Sequence, residues 1–149
     1  MRVVIGSDHG GYDLKNQIVA YLKDLNVDVL DKGTHNSNSV DYPDFAEKVG
    51  YAVLNEPVDF GIVLCGTGIG ISIAANKIPG IRAALIYDDQ TAMLAKAHNN
   101  ANIIAIGGRT TTFDQAKSMI KIFMETPYET RHQKRIDKIS NIEGKMKNG

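Results

Sequence analysis

The sequence predicts a single α/β domain over residues 1–149, a Rossmann-like three-layer sandwich built on a five-stranded parallel sheet. Three observations carry this. Apolar runs of strand length alternate with segments of helical period along the chain. The alternation reads strand-then-helix five times, without internal repeats or low-complexity linkers, which calls for parallel strands joined by right-handed helical crossovers. Polar or glycine-rich residues follow several of the apolar runs: Ser7-Asp8-His9-Gly10-Gly11, Cys65 to Gly70, and Gly107-Gly108-Arg109. Sheets of this kind bind ligands at that end of their strands.

Val3 to Ile5 is the first strand, and Leu14, Ile18, Tyr21, Leu22 and Leu25 share one face of the helix after it. Val27 to Leu30 is the second strand. Asp41-Tyr42-Pro43 opens the next helix, because proline is tolerated in a first turn; Phe45, Val49 and Val53 lie on its inner face. Phe60 to Leu64 is strand three and Ile69 to Lys77 its helix. Pro79-Gly80 marks a turn, Ile81 to Ile86 is strand four, and Asp88 to His98 is an alanine-rich helix. Ile103 to Ile106 is strand five. Thr112 and Gln115 have the spacing of a capping box ahead of a helix that puts Phe113, Ala116, Ile120 and Phe123 on one side. A last helix is expected over about residues 128–146, with an apolar stripe of Ile136, Ile139, Ile142 and Met146. A stripe on a terminal helix must be covered, and we expect it to dock on a partner subunit.

The composition narrows the function. A hydrophobic fraction of 43% supports a packed core rather than a disordered chain. Lys+Arg and Asp+Glu both number 17, so no global positive field draws nucleic acid or anionic lipid, and neither is expected as a partner. One cysteine cannot make an intrachain disulfide, which suits a reducing compartment. The first apolar run is too short for a signal-peptide core, and no stretch nears the roughly 18 apolar residues of a membrane span; the expected location is the cytoplasm. There is no CxxC, no HExxH and no carboxylate cluster at ligand spacing, so no metal is expected.

The chemistry centres on Cys65. It ends an apolar run and opens the loop Gly66-Thr67-Gly68-Ile69-Gly70. A buried free cysteine is ordinarily a small hydrophobe, but this one stands at a strand end beside a helix start, where backbone N–H groups can hold a thiolate and an oxyanion together. The glycine loop also admits a dinucleotide-binding reading, with Asp88 about 20 residues on. Against that, position 71 is Ile rather than the last glycine of the fingerprint, and the loop follows strand three, not strand one. Asp8 and His9 can cap a helix or bind a polar ligand. His98-Asn99-Asn100 ends a helix, which His and Asn favour without any function; His35 reads as surface. Arg131 and Arg135 are four apart and face the same way on a helix, either as a solvated basic face or as a two-guanidinium phosphate clamp that Arg109 could join.

Together these pieces resemble the ribose-5-phosphate isomerase B type, a sugar-phosphate isomerase family. The resemblance covers nearly the whole chain. It is carried by Gly6-Ser7-Asp8-His9-Gly10-Gly11, Asp31-Lys32-Gly33-Thr34, Val40-Asp41-Tyr42-Pro43 and the run from Cys65 to Lys77. Gly80-Ile81-Arg82-Ala83, His98-Asn99, Asn102, Gly107-Gly108-Arg109 and Arg131-His132-Gln133-Lys134-Arg135 add to it. The resemblance implies interconversion of ribose 5-phosphate and ribulose 5-phosphate, a pentose phosphate pathway step, without metal or organic cofactor. It also implies a homodimer, often a dimer of dimers, whose sites draw on both subunits. It implies Cys65 as base, His98 as the ring-opening group, and Asp8, His9, Gly66, Thr67, Gly68, Ile69, Gly70, Asn99, Arg109, Arg131 and Arg135 as substrate contacts. Some members use a glutamate instead of the cysteine; this chain keeps the cysteine and has Ala74 and Ala75 in that region. Galactose 6-phosphate or allose 6-phosphate isomerases share much of the pattern, and a nucleotide-binding regulatory module is the reading from another class.

The chemistry fits these roles. Moving a proton between C1 and C2 of a sugar needs one base near both carbons and donors for the enediolate oxygen. Cys65 would move the proton, the loop amides would hold the oxygen, and Thr67 could hydrogen-bond the thiolate or a substrate hydroxyl. Arg131 and Arg135 would fix the register of the reacting carbons by gripping the phosphate.

Overall fold

The computed structural model describes residues 1–148. Five parallel strands, β1 (Arg2–Ser7), β2 (Asp28–Asp31), β3 (Phe60–Cys65), β4 (Ala83–Leu85) and β5 (Ile103–Gly107), lie in the order β2-β1-β3-β5-β4. Helices α1 (Tyr12–Asp24), α4 (Asp89–Ala97) and α5 (Phe113–Glu125) cover one face; α2 (Tyr42–Asn55) and α3 (Ile69–Ala75) cover the other. The three-layer arrangement is the expected one.

Strand side chains alternate between the two cores, as a pleat of period two demands. Val3, Ile5, Ile62, Leu64, Ile104 and Ile106 pack with Leu14, Ile18 and Leu22 of α1 and with Met119, Ile120 and Phe123 of α5. Val4, Val63, Cys65, Ile103 and Ala105 pack with Phe45 and Val49 of α2 and Ile71 of α3. Because both faces are buried, the strands read as continuous apolar runs.

The helix ends follow local rules. Pro43 sits in the first turn of α2. Thr112 Oγ1 accepts from Gln115 N while Gln115 Oε1 accepts from Thr112 N, completing the expected capping box. A second box, not foreseen, joins Asp88 and Thr91 at the start of α4. Lys15 is buried, and its ammonium lies 2.7 Å from Asp31 Oδ2, while Asp31 Oδ1 accepts from Gly33 N at 2.9 Å. This pair fastens the start of the loop that carries Val40 back to His9.

Several boundaries differ from expectation. Leu25 lies beyond α1 and is exposed. α3 stops at Ala75, because Asn76 turns out to bond the sheet edge: its side chain accepts from Ala83 N at 2.8 Å and donates to Ala83 O at 2.9 Å. β4 has three residues rather than six, since Arg82 N is taken by the Asn102 side chain. The last helix does not begin near Tyr128. A 3-10 turn over Thr130–His132 precedes α6 (Gln133–Asn148). Arg131 is therefore on the turn and Arg135 in the helix. Along the apolar stripe Ile136 is buried, whereas Ile139, Ile142 and Met146 stand open to solvent. Glu143 is the polar anchor, its carboxylate accepting from Gly80 N at 3.1 Å.

Candidate active site

The strand order reverses direction between β1 and β3: the chain leaves β1 for β2 on one side, and β3 begins the progression toward β5 and β4 on the other. A crevice opens at the carboxyl ends of strands at such a point. Asp8, His9 and Cys65 are there, joined by Arg109 from the end of β5.

Three loops meet over this edge at distances only glycine permits. A Cβ on Gly10 would stand 3.0 Å from Gly66 N, and one on Gly108 would stand 2.5 Å from Gly10 O. Gly68 has φ 77°, and a Cβ there would meet the backbone of Ile106 and Gly107 at 2.9 and 3.0 Å. The loop after Cys65 is thereby locked against the end of β5, where Gly108 N donates to Cys65 O at 2.8 Å and Arg109 N to Gly66 O at 2.9 Å.

Cys65 is the last residue of β3, 5% exposed, with Sγ accepting from Gly68 N at 3.2 Å. That amide is the direct local support for negative charge on sulfur. The seven-residue α3 behind it contributes less than a long helix would. Thr67 does not touch the thiol; its Oγ1 accepts from Ile69 N at 3.2 Å. Ile69 is exposed and its amide is engaged there, so its side chain faces outward. Gly66 N and Thr67 N meet no backbone acceptor among the described residues.

Asp8 is buried and caps the short turn after β1, Oδ1 accepting from Gly11 N at 3.2 Å. His9 Nδ1 accepts from Val40 N at 3.1 Å. A neutral imidazole so held carries its proton on Nε2, which makes His9 a donor toward a ligand. The Arg109 guanidinium lies across Gly66, 3.1 Å from where a Cβ would be.

The other expected residues are elsewhere. β5 begins where β3 begins, with Ile103 opposite Gly61 and Asn102 O accepting from Gly61 N. His98 and Asn99, which lead into β5, are thus at the amino edge of the sheet. Cys65 is at the carboxyl edge, about 16 Å away along β3 alone at 3.3 Å per residue. Glu129 N donates to Ala97 O and brings the Arg131 turn to the same amino edge. There the His98 and His132 rings stack with centroids 4.3 Å apart, His98 Nε2 is 3.4 Å from Glu129 Oε2, Arg131 is 3.5 Å from Glu129 Oε1, and Arg135 Nη1 is 3.4 Å from His132 Nδ1. Among the described residues no hydrogen bond or ion pair joins this cluster to the thiol loop. Within one chain the expected site residues therefore fall into two groups at opposite edges of the sheet.

Glu129 escaped the sequence reading, and His132 entered it only within the run Arg131 to Arg135, without a role, because neither has a spacing that marks it; only their common place beside His98 does. His98, Glu129 and His132 have donor atoms within 4.8 Å of one another, close enough to consider a metal ion. The charge argues for another ligand: Arg131 and Arg135 flank the trio and favour an anion.

Burial pushes the His132 pKa below the usual 6.5, and the neighbouring Arg131, His98 and Arg135 push it further, with Glu129 opposing. The unfolded chain binds that proton more readily, so this contribution to stability is complete above about pH 6.5 and is lost as pH falls through the window below it. We predict that the thermal midpoint drops on going from pH 7 to pH 5, and that His132→Asn flattens the drop. Parallel slopes for the two proteins would contradict the assignment.

Asp88, the residue a dinucleotide reading would place on a ribose, is committed to α4. Its carboxylate accepts from Thr91 N at 2.7 Å, which holds its pKa below the ordinary 3.8. No helix among the described residues is long and apolar enough to cross a membrane.

The fold sets a buried thiol and a glycine loop at the carboxyl edge of an open parallel α/β sheet, at its switch point. The chain belongs to the ribose/galactose isomerase family, whose sequence model matches residues 3–139. Ribose-5-phosphate isomerase B of Escherichia coli (strain K12) is 44% identical over 143 residues, 95% of this chain and 96% of that protein. The structure of ribose-5-phosphate isomerase B from Clostridium thermocellum is similar with a TM-score of 0.96 and 48% identity, over 98% of this chain and 99% of that one. That from Mycoplasma genitalium, solved with bound ribulose-5-phosphate, has a TM-score of 0.90 and 40% identity, with 96% of each chain covered.

Proposed function

We propose that this chain is an aldose–ketose isomerase that interconverts ribose 5-phosphate and ribulose 5-phosphate. The observation that carries the reading is the Cys65 sulfur at 3.2 Å from Gly68 N, with the Gly66 and Thr67 amides, which have no backbone acceptor among the described residues, beside it. His98 assists opening of the furanose ring. Cys65, as thiolate, takes the proton from C2 of the open aldose, and the loop amides stabilise the enediolate oxygen as charge develops. The same sulfur returns the proton to C1. Asp8 and His9 orient sugar hydroxyls, Asn99 contacts the sugar from the His98 side, and Arg109, Arg131 and Arg135 bind the phosphate. This route uses no metal or organic cofactor.

The working unit in this reading is a homodimer, with dimers able to pair. Its support is the separation of Cys65 from His98: a second copy must bring His98, Asn99, Arg131 and Arg135 over the first copy's thiol loop. The open Ile139, Ile142 and Met146 offer apolar surface for such docking. The near-equal charge balance and single thiol fit a cytoplasmic enzyme.

A panel of five- and six-carbon aldose phosphates compared by kcat/KM tests the proposal. Ribose 5-phosphate should lead. Preference for allose or galactose 6-phosphate would move the chain to the hexose branch, and thermal stabilisation by nucleotides alone would overturn the isomerase reading.

A further inference from the structure

We propose that Arg82 is a positioning residue for this isomerisation: its guanidinium closes the end of α4 and so sets the place of His98 and Asn99. The inference rests on the reading of His98 as the ring-opening group. A helix end leaves its last carbonyls without partners in the helix. Here α4 ends at Ala97, and Asn100, at φ 42°, turns the chain out with its N–H on Lys96 O at 3.1 Å. The last α4 carbonyls, Leu94 to Ala97, are taken by His98 N, Ala101 N, Asn100 N and Glu129 N, so the carbonyls that the following turn leaves for another donor are those of Asn99 and Asn100. Arg82 takes both: Nε is 3.2 Å from each, and Nη2 is 2.7 Å from Asn100 O.

Arg82 is itself clamped. Its N–H donates to Asn102 Oδ1 at 2.7 Å, and its carbonyl accepts from Asn102 N at 3.1 Å and Ile103 N at 3.3 Å. Asn102 Nδ2 in turn donates to Gly80 O at 2.8 Å. The guanidinium is therefore anchored to the sheet through β5, and it transmits that anchorage to a turn one and two residues beyond His98. The His98 ring has weaker restraints of its own, a 3.4 Å approach to Glu129 and a stack on His132. Its position depends on the backbone that Arg82 holds. A planar fork spans two adjacent carbonyls; a lysine ammonium can serve only part of that role.

The test separates ring opening from proton transfer. Ribulose 5-phosphate carries its phosphate on O5 and is an open-chain ketose. Exchange of its C1 hydrogen for solvent deuterium needs the thiolate and the oxyanion site but no ring opening, whereas conversion of ribose 5-phosphate needs both. Arg82→Gln should slow conversion of ribose 5-phosphate roughly tenfold or more while C1 exchange at saturating ribulose 5-phosphate, where a displaced Asn99 shows only in KM, stays within about twofold, and Arg82→Lys should fall between. His98→Asn, measured alongside, should give the same split more strongly. If His98→Asn shows the split and Arg82→Gln does not, or Arg82→Gln loses both activities equally, positioning by Arg82 is overturned. If His98→Asn itself shows no split, the ring-opening role fails and the inference falls with it. Should Arg82→Gln not fold, Arg82→Lys carries the same comparison.

Discussion

Replacing Cys65 with Ala is expected to lower kcat for ribose 5-phosphate by about a thousandfold, the middle of the range for loss of a positioned proton-transfer group. Stability should change little. The residue is small, and the deletion removes one sulfur from the core shared with Val63, Ile71 and Ala105. The one polar loss is the acceptor for Gly68 N, which costs about 1 kcal/mol. Cys65→Ser sharpens the test. A hydroxyl restores an acceptor for that amide but is a far weaker acid than a thiol, so the serine variant should be nearly as slow as the alanine one. Both should retain tight substrate binding, because the arginines and His9 are untouched. Turnover near that of the parent in either variant would remove Cys65 from the proton path.

Mixing two inactive variants is expected to restore activity. A Cys65→Ala chain lacks the base; an Arg131→Ala/Arg135→Ala chain lacks most of the phosphate grip and is silent at substrate well below KM. In a dimer whose sites each combine the thiol loop of one copy with the arginines of the other, a mixed pair has one site with both defects and one with neither. With equal mixing, half the dimers are mixed and half of their sites work, giving about a quarter of the parent activity. Were each site built within one chain, every site would carry a defect and mixing would restore nothing. The readout therefore decides the architecture directly. It follows from topology: a crossover helix runs antiparallel to its strands, so the end of α4 must be remote from the end of β3.

Much of the architecture was legible in the chain. Val3 to Ile5, Phe60 to Leu64 and Ile103 to Ile106 are buried on both faces and so read as uninterrupted apolar runs. Pro43 and the Thr112–Gln115 pair marked helix starts because their effects are local. One error lies where a distant partner overrides local preference. Ile81 to Ile86 has strand composition, yet Arg82 and Asn102 engage each other and shorten β4. The start of α6 shifted because a 3-10 turn satisfies the same polar groups a first α-turn would. For the site, the Cys65 loop stood out because thiol, glycines and strand end are contiguous. The His98 cluster was reached only through the resemblance, since His98 lies more than thirty positions from Glu129, Arg131, His132 and Arg135 and meets them only through the fold.

Asn76 has a consequence for the molecule in a crowded cell. β4 is an outer strand, and the outward N–H and C=O of Ala83 would invite another chain to add itself to the sheet. The Asn76 carboxamide occupies that pair of groups as a one-residue counterfeit strand. It answers the Ala83 groups with a side chain that has no further backbone to offer, so an added strand cannot pair at that residue. Substitution at this position would be felt first as clumping during expression rather than as lost turnover.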